Sequence, residues 1–201
     1  MVSIIDYDLG NTGSIINMLK KLGYTATLTR DIPDLESSEL IILPGVGTFD
    51  QGITNLKKYG LYDYLSNNHI GTKKILGICL GAQLLLDGSE EGKLKGLGLI
   101  PGISKKFKNE NNFNNIHMGW NQISWCSKLG KKLLNPESKF YFVHGYHMEV
   151  TSQFQLFKTI FQNEFISGIK RNNIIGVQFH PEKSHIHGMS FLDKFLKNEL
   201  K

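Results

Sequence analysis

Apolar and polar positions alternate along the first half of this chain in two different rhythms. Val2 to Asp6 is a short apolar run of strand character, and Ser14 to Leu22 follows with Ile15, Ile16, Met18, Leu19 and Leu22 on one helical face, closed by Gly23. Thr25 to Arg30 and Leu40 to Leu43 again read as strands. Ile53 to Ser66 places Leu56, Leu61 and Leu65 at helical spacing, with a break expected near Gly60. Ile75-Leu76-Gly77-Ile78 is a further buried strand, and Ala82-Gln83-Leu84-Leu85-Leu86 continues from it as a helix. Strands alternating with helices in this way predict a parallel sheet covered on both faces.

From about Leu97 the texture changes to strands and turns. Strands are expected over Leu97 to Phe107, Gln122 to Trp125, Phe140 to Val150, Gln155 to Ile160 and Phe165 to Phe179. Arg171-Asn172-Asn173 has the composition of a hairpin turn, and the polar stretch Asn109 to Asn115 that of a surface loop. Ile186 to Leu200 carries Met189, Leu192, Phe195 and Leu196 at helical spacing. With no repeat and no linker, the fold class expected is α/β: a flavodoxin-like or Rossmann-like sandwich with a largely parallel central sheet and an antiparallel C-terminal portion. One domain spans residues 1–201.

Composition narrows the class further. The chain's 201 residues suffice for one well-buried α/β domain, and 40% hydrophobic with 20% charged content is ordinary for a globular protein. No apolar run approaches the ~20 residues that span a bilayer, so no membrane association is expected. The N-terminus begins directly in a strand and lacks a signal peptide's regions. Two cysteines, Cys79 and Cys126, make no disulfide framework, which fits a cytoplasmic setting. The net charge of +5 comes almost wholly from separated lysine pairs, with Arg30 and Arg171 the only arginines, so a nucleic-acid partner is not expected.

Two segments carry chemistry. Gly77-Ile78-Cys79-Leu80-Gly81 has the form of a nucleophile elbow, in which small residues permit a sharp strand-to-helix turn. The helix N-terminus beyond it favours thiolate over thiol. A buried core cysteine would be the structural alternative. Near the C-terminus, Gly176-Val177-Gln178-Phe179-His180-Pro181-Glu182 ends a β-rich run in a histidine with a carboxylate two positions on. A cysteine nucleophile needs a base, and the base needs a group that orients it; His180 and Glu182 can fill those roles. Asp8 to Gly13 lacks a complete dinucleotide fingerprint, and the spacing of His180, Glu182, His185 and His187 fits no common zinc pattern. No metal or cofactor is expected.

The two segments, in this order, resemble those of the class I (triad) glutamine amidotransferases. Within that family the chain is similar to the HisH branch, the glutaminase subunits of imidazole glycerol phosphate synthase. Ile5-Asp6-Tyr7 with Gly10-Asn11, Leu43 to Gly47, His117 to Asn121 and Tyr141 to His144 carry the narrower likeness, which runs the length of the chain. The resemblance implies a Cys79–His180–Glu182 triad and an oxyanion hole at Gly45, Val46 and the Leu80 amide. It implies contacts to L-glutamine from Gly47, Gln83, Glu91, His144, Gly145 and Tyr146. Either Gln83 or Glu91 could instead be a plain polar helix or loop residue, and for Glu91 that reading is about as strong. The resemblance also implies a heterodimer with a HisF-type (β/α)8-barrel cyclase, met near Met118, Trp120, Asn121, Tyr141 and Lys183. Core packing is the alternative for Trp120 and Tyr141.

Two positions depart from the family pattern: Asp8 replaces a frequent glycine, and Gly145 replaces the serine of His-Ser-Tyr. Two other readings stand beside the first. Gly13 to Gly23, Ser184 to Met189 and His147 are similar to a HisH-like branch that feeds amidation of surface-polysaccharide sugars. A catalytically inactive regulatory or binding subunit is the reading from a different class.

Overall fold

A computed structural model describes residues 1–67, 73–108, 115–135 and 137–199. Most of the loop expected at Asn109 to Asn115, and Leu200 of the last expected helix, lie outside the described residues. The parallel half of the sheet is built from β1 (Val2–Ile5), β2 (Ala26–Thr29), β3 (Leu40–Leu43) and β4 (Lys74–Ile78). The remaining strands are β5 (Gly88–Ser89), β6 (Ile103–Lys106), β7 (His117–Trp125), β8 (Lys139–His144), β9 (Tyr146–Glu149), β10 (Gln155–Phe161), β11 (Asn163–Arg171) and β12 (Ile174–Val177). Their order is β2-β1-β3-β4-β12-β11-β10-β7-β8, with β9, β6 and β5 branching from β11. The sheet is parallel from β2 through β12 and antiparallel from there to β8.

Side-chain alternation explains why both faces are covered. On β1, Ile4 enters one core and Ile5 the other; on β3, Leu40 and Ile42 oppose Ile41 and Leu43. The first core is closed by α1 (Thr12–Lys21) and α7 (His185–Glu199), through Ile15, Leu19, Phe191, Leu192 and Phe195. The second is closed by α3 (Phe49–Lys58), α4 (Leu61–Ser66) and α5 (Leu80–Leu84), through Phe49, Ile53, Leu56, Leu61 and Leu84. Between α3 and α4 the chain breaks at Gly60, which lies in the left-handed region, as the sequence predicts.

Two short helices were not legible. The helix α2 (Ile32–Ser37) buries only Leu35, and α6 (Lys128–Leu133) is held by a Ser127 cap that accepts from the Gly130 amide. The strand expected over Leu97 to Phe107 shrinks to Ile103–Lys106. Its first part instead spends its amides on the C-terminus of α5: Leu97 donates to the Leu84 carbonyl, Gly98 to Leu86, and Leu99 and Ile100 to Leu85. The run is apolar because it packs on that helix end, which is why it reads as a strand.

Candidate active site

The strand β12 decides the geometry. It lies between β4 and β11, parallel to β4 with Val177 opposite Ile78 and antiparallel to β11 across the Asn172 turn. Residues distant in sequence therefore leave the same edge of two neighbouring strands, at the carboxyl ends where open α/β sheets place their sites.

Cys79 follows β4 with φ 53° and ψ −110°, a strained conformation for a side chain with Cβ. Its amide donates to the Val177 carbonyl at 2.8 Å, and its carbonyl accepts from Ala82 and Gln83 in the first turn of α5. The turn is possible because neighbours lack side chains. A Cβ on Gly81 would lie 1.9 Å from the Leu43 carbonyl oxygen, and one on Gly45 would lie 2.8 Å from the Gly81 nitrogen. The Pro44-Gly45 end of β3 is thus pressed against the elbow. The Leu80 amide, first in α5, has no acceptor within its own helix. Val46 is exposed beside this corner, and Gly47 follows it with φ 137°.

His180 and Glu182 follow β12, and their side chains are each only 1% exposed. His180 Nδ1 is 2.7 Å from Glu182 Oε1. The backbone around them is fixed from β8: the His180 amide donates to the Tyr141 carbonyl at 2.9 Å, and Ser184 Oγ donates to the His180 carbonyl at 2.6 Å. With Nδ1 occupied by the carboxylate, the nitrogen left for the Cys79 sulfur is Nε2, which is buried without a conventional hydrogen-bond partner. Burial pulls the imidazole pKa down. Cys79 first, then Glu182, outweighs that pull and raises it to about 10. Both neighbours thus favour the protonated ring over the neutral one. Tyr7, buried beneath and donating to the Pro44 carbonyl, is pushed far above its ordinary value by burial and then by the charge of Cys79.

Asn11 belongs to this cluster, although from the sequence it enters only as part of the family likeness, with no role given. Its Nδ2 donates to Glu182 Oε1 at 3.2 Å, so one carboxylate oxygen receives both Asn11 and His180. The Gly10-Asn11 pair that opens α1 was the available signal.

The other expected residues gather around the same end of the sheet. Gln83 is buried, and its amide donates to the Tyr146 carbonyl at 3.1 Å and to Gln178 Oε1 at 3.0 Å. Glu91 Oε2 accepts from the Phe49 amide at 2.8 Å and caps α3; its charge also helps to raise the pKa of Tyr146, after burial. His144 is buried and bonded to the Tyr146 carbonyl. At Gly145 a Cβ would make only an ordinary 3.8 Å contact, so the family's serine would fit and only its hydroxyl is lost. Asp8 accepts from Arg30 and Tyr59 at the surface, with φ 64° that glycine would adopt freely.

Met118 and Trp120 are 66% and 46% exposed. Trp120 stacks on His185 at 5.5 Å and meets Tyr141 edge-on at 6.3 Å, while the Lys183 ammonium lies 5.9 Å from the Tyr141 ring. An apolar, cation-bearing surface thus adjoins the turn Pro181–Lys183 that holds Glu182. Asn121, by contrast, turns its amide inward, to the Ile160 carbonyl at 2.7 Å and to His117. Among the described residues no group of three or more His, Cys, Asp or Glu could hold a metal, and no helix is long and apolar enough to cross a membrane.

Comparison with known proteins places the chain in one family. Residues 3–198 match the family model "Glutamine amidotransferase class-I". A protein of Methanococcus maripaludis named imidazole glycerol phosphate synthase subunit HisH 2 is 47% identical, over 98% of this chain and 99% of its own length. A protein of the same name from Pseudomonas aeruginosa is 41% identical, again over 98% and 99%. A crystal structure titled as a glutamine amidotransferase superposes with a TM-score of 0.73 at 16% identity, covering 100% of this chain and 99% of that one, and shows the shared fold.

Proposed function

The chain belongs to the class I glutamine amidotransferases, and from that premise we propose that it is the HisH-type glutaminase subunit of an imidazole glycerol phosphate synthase, working through Cys79, His180 and Glu182. The observation that carries the reading is an elbow cysteine at the end of β4 beside a buried histidine–carboxylate pair that follows the adjacent β12. Cys79 sulfur attacks the side-chain amide carbon of L-glutamine, and the carbonyl oxygen takes the negative charge. The amide of Leu80 and the Gly45–Val46 backbone are the donors for that oxyanion. His180, protonated at Nε2, gives its proton to the departing ammonia, leaving a thioester on Cys79. The neutral imidazole then takes a proton from water, whose oxygen attacks the thioester and releases glutamate. Glu182 and Asn11 keep the ring in the orientation that both steps need.

Ammonia must then reach an acceptor. The relatives are named as subunits, which supports a second subunit here, a HisF-type barrel cyclase that consumes the ammonia. The Met118–Trp120–Tyr141–Lys183 surface next to Glu182 is where that partner would touch the triad. Glutamate release measured with and without the cyclase and its phosphoribosyl substrate tests the reading. Cys79→Ser should abolish glutamine hydrolysis while the complex still makes product from ammonium salts. Hydrolysis that survives this substitution refutes the triad. Activation by a sugar-amidating synthase instead of the cyclase redirects the ammonia to a polysaccharide pathway.

A further inference from the structure

A second feature of the site has no part in the mechanism above. Hydrogen bonds run without a gap from the nucleophile to the edge of β7. Gln178 Nε2 donates to Cys79 Sγ at 3.8 Å, and Gln178 Oε1 accepts from Gln83 Nε2 at 3.0 Å. Gln83 Nε2 donates again to the Tyr146 carbonyl at 3.1 Å, which also lies 2.7 Å from His144 Nδ1. His144 Nε2 lies 3.2 Å from His117 Nδ1, and His117 Nε2 lies 3.3 Å from Asn121 Nδ2.

The polarity of this chain is fixed twice. A backbone carbonyl can only accept, so Tyr146 compels His144 to carry its proton on Nδ1 and Gln83 to present its amide nitrogen. At the far end Asn121 donates to the Ile160 carbonyl while its Oδ1 accepts from the Gln122 amide, so its nitrogen must face His117. The two anchors agree only when each imidazole carries one proton, on Nδ1. A second proton on either ring would point at a donor. The surroundings favour the same state. His117 is sandwiched between Phe142 at 4.5 Å and Phe161 at 4.4 Å, and burial lowers the pKa of His117 to about 4 and of His144 to about 3.

We propose that Gln178 is a positioning residue for the Cys79 sulfur, and that the neutral His117–His144 pair locks the orientation of its amide. Were the Gln178 amide turned over, its oxygen would face the sulfur and its nitrogen would face that of Gln83. The histidine pair prevents this by holding the Tyr146 carbonyl that orients Gln83. The inference rests on the glutaminase reading only for the meaning of Cys79, because the hydrogen bonds stand without it.

The test has two arms. Long-range 1H–15N correlation of the imidazoles in the intact protein should show His117 and His144 as neutral Nδ1–H tautomers at pH 7. An Nε2–H tautomer or a charged ring in either overturns the lock. Iodoacetamide labelling of Cys79, resolved from Cys126 by peptide mass spectrometry and followed against pH, reads the sulfur itself. Gln178→Met should slow labelling about tenfold at pH 7 and leave the high-pH rate unchanged. His144→Leu should slow it about threefold, and His144→Asn, which restores a donor to the Tyr146 carbonyl, should recover the normal profile. A normal profile in Gln178→Met, or His144→Asn behaving as His144→Leu, overturns the proposal. Glutamine hydrolysis by the unaltered protein with its cyclase, run in parallel, tells the two readings apart. Its absence with the labelling pattern intact removes the glutaminase and leaves the positioning role.

Discussion

Substituting Gly81 by alanine tests how the elbow is built. The added Cβ would sit 1.9 Å from the Leu43 carbonyl oxygen and 2.8 Å from its carbon, whereas Cβ contacts under 3.0 Å are essentially never seen. Both offending atoms are backbone, so no rotamer change relieves them, and α5 must move from the end of β3 by at least about 1.1 Å. That movement carries the Leu80 amide away from Gly45 and tilts the nucleophile. A misplacement of about 1 Å costs on the order of a hundredfold in rate. Overpacking of this kind costs about 2 kcal/mol, or about 4–8 °C of Tm in a chain of this size. Glutamate release with the cyclase present gives the first number, and thermal melting of the chain alone gives the second. Gly13→Ala is the control. Nothing lies within 4 Å of its added Cβ in α1, and the helix should gain about 0.5–1 kcal/mol. Activity of Gly81→Ala within threefold of normal, with an unchanged Tm, would refute the argument that the elbow exists by virtue of this contact.

Three further outcomes follow from the site. His180 should titrate well above 6.5, because Cys79 and Glu182 raise it to about 10 against the pull of burial. Its contribution to stability is then whole below about pH 6.5 and is lost as pH rises toward 10. In an NMR titration Cys79→Ser should bring the ring's midpoint down by at least one unit, and an unmoved midpoint would deny that sulfur faces Nε2. Asn11→Ala removes a donor from the Glu182 carboxylate and should lower kcat about five- to tenfold with KM for glutamine unchanged; an unchanged kcat would make Asn11 a bystander. Glu91→Ala removes the cap on the Phe49 amide and should lower Tm by about 2–4 °C, with KM for glutamine rising less than threefold. A larger rise in KM would make Glu91 a glutamine contact as well as a cap.

The proposed triad could be read from the sequence because its candidate parts sit at strand ends, where periodicity stops abruptly and the remaining polar residue stands out. The βαβ half was legible for the same reason: Ile4, Ile42 and Leu76 belong to buried parallel strands whose pattern is little disturbed by anything else. What escaped depends on contacts between distant segments. Asn11 reaches Glu182 across 171 positions, and Gln178 finds its role only once Gln83 and Cys79 lie beside it. Leu97 and Ile100 show the opposite failure. Their hydrophobicity is real, yet it serves the end of α5 rather than a ladder, and no local pattern separates the two.

The placement of β12 also has a consequence for how the protein is made. In the proposed mechanism the nucleophile Cys79 is synthesised early, but its acid–base partner follows β12, the last strand of the sheet to be made, which inserts beside β4. A nascent chain on the ribosome, or a fragment clipped before residue 180, therefore holds a sulfur with nothing to charge or discharge it. On that mechanism, ammonia, toxic when loose, is not released by half-made enzyme.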